Sequence, residues 1–216
     1  MVRQFMSHGL FISFEGIEGS GKSTQLNLLR DWLTEQGREV VSVREPGSTP
    51  IGNRIRGLLL DPSATEMCEH TEMLLFAAAR AQLVRQVIRP ALARGAMVLC
   101  DRYLHSSIAY QGWARSLGRE RVIRVNAEAT DGLLPDQVLL IDVPVPVAME
   151  RARKRAGLDR IEQEDLTFHE AVRRGYLAEH AWDPSRIQLI DGDRDQNSVL
   201  LEIIERLDNA LSSPEA

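Results

Sequence analysis

The stretch "FEGIEGSGKSTQ", Phe14 to Gln25, constrains this chain more than any other. It follows the apolar run "GLFISF" (9–14) and precedes a segment in which Leu26, Leu29 and Leu33 recur at helical spacing, with Gly37 as a stop. Gly16-Ile17-Glu18-Gly19-Ser20-Gly21-Lys22-Ser23 therefore matches G-x-x-x-x-G-K-[S/T] in the one context where the pattern has a mechanism, between a strand and a helix. Glycines let backbone N–H groups turn inward at the positive end of a helix, where they can cradle phosphates. Lys22 can then reach the β/γ oxygens, and the Ser23 hydroxyl can ligate Mg²⁺. Gly16, Ile17, Glu18, Gly19, Ser20, Gly21, Lys22, Ser23 and Thr24 form the expected phosphate-binding set.

The rest of the chain repeats the alternation. "REVVSV" (38–43), "AMVLCD" (96–101), "QVLLID" (137–142) and "RIQLID" (186–191) read as four further strands. Such short, nearly continuous apolar runs suit a parallel sheet covered on both faces. Residues 71–93 form the longest helical pattern, which Pro90 is expected to kink before Gly95 ends it, and "NSVLLEIIERLDNAL" is an amphipathic closing helix. The expectation is a three-layer α/β/α P-loop NTPase fold with a five-stranded parallel sheet. With 216 residues and no repeat or linker, a single domain over 1–216 is expected, with a small helical lid at about 151–165.

Composition narrows the partners. A net charge of −5 argues against general nucleic-acid binding, which needs a basic face. No apolar run is long enough to cross a bilayer, and "MVRQFMSHG" has no apolar signal core. Cys68 and Cys100 lie in different predicted elements, which fits a reduced cytoplasmic chain without a disulfide framework or clustered metal ligands.

The loop alone means "nucleoside triphosphate". Asn-Lys-x-Asp, the guanine signature, is absent from the sequence, which weakens a GTPase reading. The stretches "FEGIEGSGKST", "REPGSTPIGNRIR", "TEMLLFAAAR", "VLCDRYLHSSIAYQG" and "LDRIEQED" together resemble the thymidylate kinase family, in its order and over nearly the whole chain. One departure is visible: the family's Arg-Glu-Pro-Gly-Gly-Thr reads Arg-Glu-Pro-Gly-Ser-Thr here, and Ser48 suits a positive φ poorly, so a local difference after Gly47 is expected.

The resemblance implies transfer of the γ-phosphoryl group of ATP-Mg²⁺ to dTMP, giving dTDP and ADP in dTTP biosynthesis, by a cytoplasmic homodimer that binds neither nucleic acid nor membrane. It implies that Phe76 stacks on thymine and that Arg80 points at a base oxygen; by residue type alone, the pair reads first as a core phenylalanine with a solvated arginine, and the family context reverses that preference. It implies that Arg102 lies between donor and acceptor phosphates, and that Asp101 lies beside them and the metal, as a second candidate ligand after Ser23. A structural ion pair at the strand end is the alternative for that pair. Ser107, Tyr110 and Gln111 match residues near base and sugar, Arg56 and Glu45 match residues facing the acceptor, and Glu18 matches a carboxylate aimed at the acceptor's 3′-hydroxyl. Glu15 is read as a structural group.

Five basic residues lie between positions 151 and 160 of "RARKRAGLDRIEQED". A solvated helix end is the ordinary reading of such a run. Because the variable loop positions Ile17 to Ser20 contain no basic residue, the resemblance implies a catalytic arginine in the lid. Arg153 is the first candidate, then Arg151 and Arg160; Arg151 and "DGDRDQ" (191–196) are candidates for the adenine side, and Glu162 for the approach to the metal. Two alternatives stay open: another P-loop kinase, acting on a different monophosphate or on a deoxynucleoside with Glu45 or Asp101 as base, and a switch or assembly ATPase that transfers nothing.

Overall fold

A computed structural model describes residues 9–154, 157 and 159–212. Five strands, β1 (Phe11–Glu15), β2 (Val40–Arg44), β3 (Met97–Asp101), β4 (Gln137–Asp142) and β5 (Ile187–Asp191), form one sheet in the order β2-β3-β1-β4-β5. Every pairing is parallel, with Phe14 opposite Asp101 on one side and Leu139 on the other. The five expected strands are all present, each within two residues of its expected start.

The apolar runs are continuous because both sheet faces are covered. Ile12, Phe14, Leu99, Leu139 and Ile141 point to one side, where they pack on Leu26, Leu29 and Leu33 of α1 (Lys22–Glu35) and on Val199, Ile203 and Leu207 of α9 (Gln196–Ser212). Phe11, Val98 and Cys100 point to the other, against Met73 and Leu83 of α3 (Glu69–Leu83) and Val122 of α6 (Arg119–Thr130). On that same side Val138 and Leu140 meet Val172 and Tyr176 of α8 (Leu166–Trp182), while α7 (Val145–Arg153) adds Ala148 and Met149. Truncating a fully buried side chain such as Leu29 would cost about 2–5 kcal/mol.

The long helical pattern starts at Glu69, and its disturbance lies ahead of Pro90. Val84–Ile88 form a wide π-helical turn that leads into the short α4 (Arg89–Ala93), with Pro90 in its first turn. A proline there has no N–H to donate to the preceding turn, and the widened turn accommodates its ring. A second π-helical segment, Ile108–Ala114, continues α5 (Leu104–Ser107) after β3. α2 (Pro50–Leu60) is capped by Thr49, whose hydroxyl accepts from Gly52 N at 2.9 Å. Among the described residues, no helix is long and apolar enough to cross a membrane.

The strand order decides where a ligand can bind. From β1 the chain crosses to β2 and β3 on one side, then to β4 and β5 on the other. The carboxyl end of β1 is thus the switch point, where open parallel sheets leave a crevice.

Candidate active site

The phosphate loop leaves β1 at this switch point. Gly21 precedes α1 in a left-handed conformation (φ +100°), and no side chain caps the helix, so its first turn is kept for something else. Gly19 has φ +75°, and a Cβ there would stand 2.0 Å from the Ala148 carbonyl oxygen of α7. The loop is therefore pressed onto the neighbouring helix, which only glycine permits.

A cavity of about 760 Å³ opens over this loop. Of the expected site residues, Glu18, Gly19, Ser20, Gly21, Lys22, Ser23 and Thr24 line it, as do Glu45, Arg56, Phe76, Asp101, Arg102, Ser107, Tyr110, Gln111 and Arg151. Glu162 also reaches its wall, and Gly192, Arg194, Asp195 and Gln196 bring in the loop after β5.

Lys22 is 7% exposed and donates from Nζ to the Ile17 carbonyl at 2.8 Å. Burial lowers its pKa to about 8; the Arg102 charge adds to this, and Asp101 and Glu18 oppose it. Ser23 Oγ donates to Asp101 Oδ2 at 2.5 Å. A hydroxyl and a carboxylate, both oxygen donors on the cavity wall, fit a small hard cation that draws its remaining ligands from water and phosphate. No group of three or more His, Cys, Asp or Glu side chains able to hold a metal occurs among the described residues.

Arg102 follows β3 directly with φ +71°, an unfavourable conformation for a side chain with a Cβ, and one that turns its guanidinium back over the loop. Nη1 lies 3.0 Å from Gly16 O, 3.2 Å from Ser106 Oγ and 3.1 Å from the Tyr176 hydroxyl, and Nη2 donates to Glu18 Oε1 at 2.7 Å. Tyr110 donates its hydroxyl to the same Glu18 carboxylate at 2.6 Å. Burial works to raise the Glu18 pKa, yet Arg102, Lys22 and the Tyr110 hydrogen bond together hold it below the ordinary value. Glu15 lies beneath this layer, fully buried, accepting from Tyr103 N at 2.8 Å and Ser106 Oγ at 2.6 Å. It is the structural group expected of it, and burial raises its pKa.

Several expected residues lie elsewhere than on the cavity wall. Gly16 and Ile17 are not part of it; the Ile17 side chain belongs to the core and its carbonyl serves Lys22. Arg80 lies behind the wall at 1% exposure, donating to Glu45 Oε2 at 2.6 Å, Ser107 Oγ at 3.0 Å, Tyr103 O at 3.0 Å and Asn126 Oδ1. Burial pushes the Glu45 carboxyl up to about 7 against the pull of Arg80. Arg153 is exposed at the end of α7 and borders a second cavity, of about 480 Å³, with Glu162 and Glu164. Arg160 is held by Leu59 O at 3.0 Å and Glu72 Oε2 at 2.6 Å. Arg151, by contrast, reaches Gly192 O and Asp193 Oδ1 at the cavity edge. Arg155, the remaining arginine of the run, lies outside the described residues.

After Gly47 the chain does place Ser48 in the positive-φ region that suits a side chain poorly. Ser48 adopts φ +61°; its hydroxyl accepts from Arg44 N at 2.8 Å, and its own N–H donates to Asn53 Oδ1 at 3.1 Å. These bonds offset the steric cost of a side chain there.

Sequence reasoning did not find Ser106, Tyr176, Arg44 or Asp159. Ser106 sits in the "DRYLHSSIAYQG" stretch and was within reach, whereas Tyr176 is 70 positions further on and no local pattern joins the two.

A family model described as thymidylate kinase matches residues 14–203. A thymidylate kinase of Exiguobacterium sibiricum is 48% identical over 195 residues, which span 90% of this chain and 92% of the relative. One from Pseudomonas putida strain GB-1 is 49% identical over 205 residues, spanning 92% and 98%. The crystal structure of thymidylate kinase from Ehrlichia chaffeensis superposes with a TM-score of 0.78 at 32% identity, covering 93% of this chain and 99% of that one.

Proposed function

This chain belongs to the thymidylate kinase family, and from that premise we propose how its own residues carry the reaction. It transfers a phosphoryl group from ATP to dTMP, yielding dTDP and ADP, a step toward dTTP. The acceptor phosphate has a second pKa of about 6, so near neutrality it is mostly a dianion. Its oxygen needs no general base. The obstacle is bringing two polyanions together, which calls for positioned cations.

In our reading ATP takes the loop end of the cavity, with its phosphates on the first turn of α1 and on Lys22, and dTMP takes the end bounded by Phe76, Tyr110 and Gln111. Lys22 leaves the Ile17 carbonyl for the β/γ oxygens, and Arg102, between the two ends, neutralises charge shared by donor and acceptor. Mg²⁺, held by Ser23 and Asp101, would withdraw charge from the phosphate oxygens. Glu18, fixed by Arg102 and Tyr110, accepts a hydrogen bond from the 3′-hydroxyl of dTMP and would repel a 3′-phosphate. Glu45 and Arg56 complete the acceptor side, with Arg80 behind them. Residues 151–165 act as a lid on the single domain, with Arg153 brought in when substrate excludes water.

A homodimer is the assembly we propose; Leu58 on α2 and Leu74 on α3 are exposed apolar side chains available to it. The free cysteines, Cys68 and Cys100, suit a reducing cytoplasm.

The observation that carries this reading is one cavity lined both by the phosphate loop and by Phe76 and Gln111. The test is ADP release with ATP-Mg²⁺ and a panel of dTMP, dUMP, dCMP, dGMP, AMP and thymidine. Release that depends on dTMP supports the reading; release indifferent to the panel replaces it with an ATPase.

A further inference from the structure

Glu72 is a buried charge that phosphoryl transfer does not need. It stands one helical turn before Phe76 and two before Arg80, so α3 turns all three to one face. Its side chain is 2% exposed and lies against two arginines from distant segments: Arg160 Nη2 at 2.6 Å and Arg115 Nη2 at 3.2 Å. Burial works to raise its pKa, but Arg115 and the hydrogen bonds from Gln111 and Arg160 hold it below the ordinary value.

A carboxylate pinned in this way has no hydrogen to donate. Gln111, whose Nε2 is 2.8 Å from Glu72 Oε1, can therefore meet it only through its NH₂ group. The amide oxygen must turn away from Glu72. Gln111 lines the cavity, and no described residue donates a hydrogen bond to its Oε1. One turn earlier, Ser107 Oγ accepts from Arg80 at 3.0 Å, which leaves its own hydrogen to donate. Charges behind the wall thus set an acceptor and a donor side by side on it.

We propose that Glu72 is a positioning residue that determines base specificity: it locks Gln111 as a hydrogen-bond acceptor and so selects a base with a ring N3–H. The proposal rests on the reading of dTMP as phosphoryl acceptor. Thymine presents N3–H beside a 4-oxo group, the complement of an acceptor beside a donor. Cytosine presents the reverse, a bare N3 beside a 4-amino group, and would set a lone pair against Gln111 Oε1. A site built to receive a particular N–H discriminates strongly against an analogue lacking it.

The experiment compares kcat/KM for dTMP and dCMP in the full-length wild type, Glu72→Gln, Gln111→Leu and the double variant. A glutamine at position 72 can donate or accept, so the Gln111 amide is free to turn. The dTMP:dCMP ratio should fall by about tenfold or more in each single variant, with the KM for ATP within about threefold of wild type. Adding Glu72→Gln to Gln111→Leu should leave the ratio where Gln111→Leu put it, because Glu72 acts through Gln111. A purely structural role would instead lower both specificity constants together, leaving the ratio intact, and that result overturns the proposal. Should Glu72→Gln fail to fold, an unchanged ratio in Gln111→Leu overturns it equally. A wild type indifferent to dTMP sinks the functional reading along with this one. A wild type that uses dTMP, with a ratio unmoved by either variant, sinks this inference alone.

Discussion

Glu18 Oε1 lies 2.7 Å from Arg102 Nη2, so the acid inside the phosphate loop is paired with the arginine that follows β3. The two side chains are 12% and 17% exposed, and Tyr110 holds the carboxylate from the far side. An acid in a phosphate loop looks misplaced until its partner is seen. The pair orients Arg102, and in the function proposed above the carboxylate serves the second substrate rather than the first.

Glu18→Ala should therefore separate the substrates. Removing one partner of a buried, hydrogen-bonded ion pair costs about 2–5 kcal/mol where the other partner is left to act alone. We expect kcat/KM for dTMP to fall on the order of a hundredfold, with a much smaller change in the KM for ATP. Initial rates with each nucleotide varied in turn would measure this, and equal losses for both would return Glu18 to the ATP loop.

Phe76 borders the cavity while half-buried, and the proposed function has its ring stack on the base. Stacking of a base on an aromatic ring contributes roughly 1–3 kcal/mol. Phe76→Ala should raise the KM for dTMP by about ten- to a hundredfold and spare ATP. Titration calorimetry with each nucleotide is the check; a parallel loss for both would point to collapse of the cavity instead.

The lid arginines can be distinguished by kinetics. Arg151 touches the cavity edge, whereas Arg153, two positions on, is exposed beyond it. If Arg153 swings in on closure, Arg153→Ala lowers kcat by roughly a hundredfold or more, as loss of an arginine finger does, and Arg151→Ala acts mainly on the KM for ATP. Near-normal turnover in Arg153→Ala would transfer the catalytic role to Arg151 or Arg160.

Lys22 makes ATP binding sensitive to pH. Burial brings its pKa down to about 8 in the free protein, and the protonated form is the one that pairs with phosphate. Bound polyphosphate favours that form and raises the pKa, so above pH 8 binding should take up protons and the KM for ATP should rise with pH. Calorimetry at pH 8.5 in buffers of different ionisation enthalpy would detect the uptake. None should occur in Lys22→Met, and uptake that persists there would assign it to another group.

Much of this architecture was legible in the chain because it is local. The phosphate loop is eight consecutive residues between a strand and a helix, and each strand announces itself by a short apolar run whose residues face two covered sides. Phe76 and Arg80 do share a helical face, as their spacing requires. Yet spacing says nothing of depth: Phe76 reaches the cavity, while Arg80 is taken up by Glu45, Ser107, Asn126 and Tyr103 behind it.

By itself, then, the sequence determined the loop, the five strands, the covered sheet and the family. The tertiary structure alone decided the strand order that makes the end of β1 a crevice, the pairing of Glu18 with Arg102, and the convergence of Arg115 and Arg160 on Glu72. The physical reason is that periodicity reports which environment a side chain must face, apolar or wet. It does not report which distant group completes that environment. A buried charge requires some partner, and only packing chooses Arg160, 88 positions along the chain from Glu72.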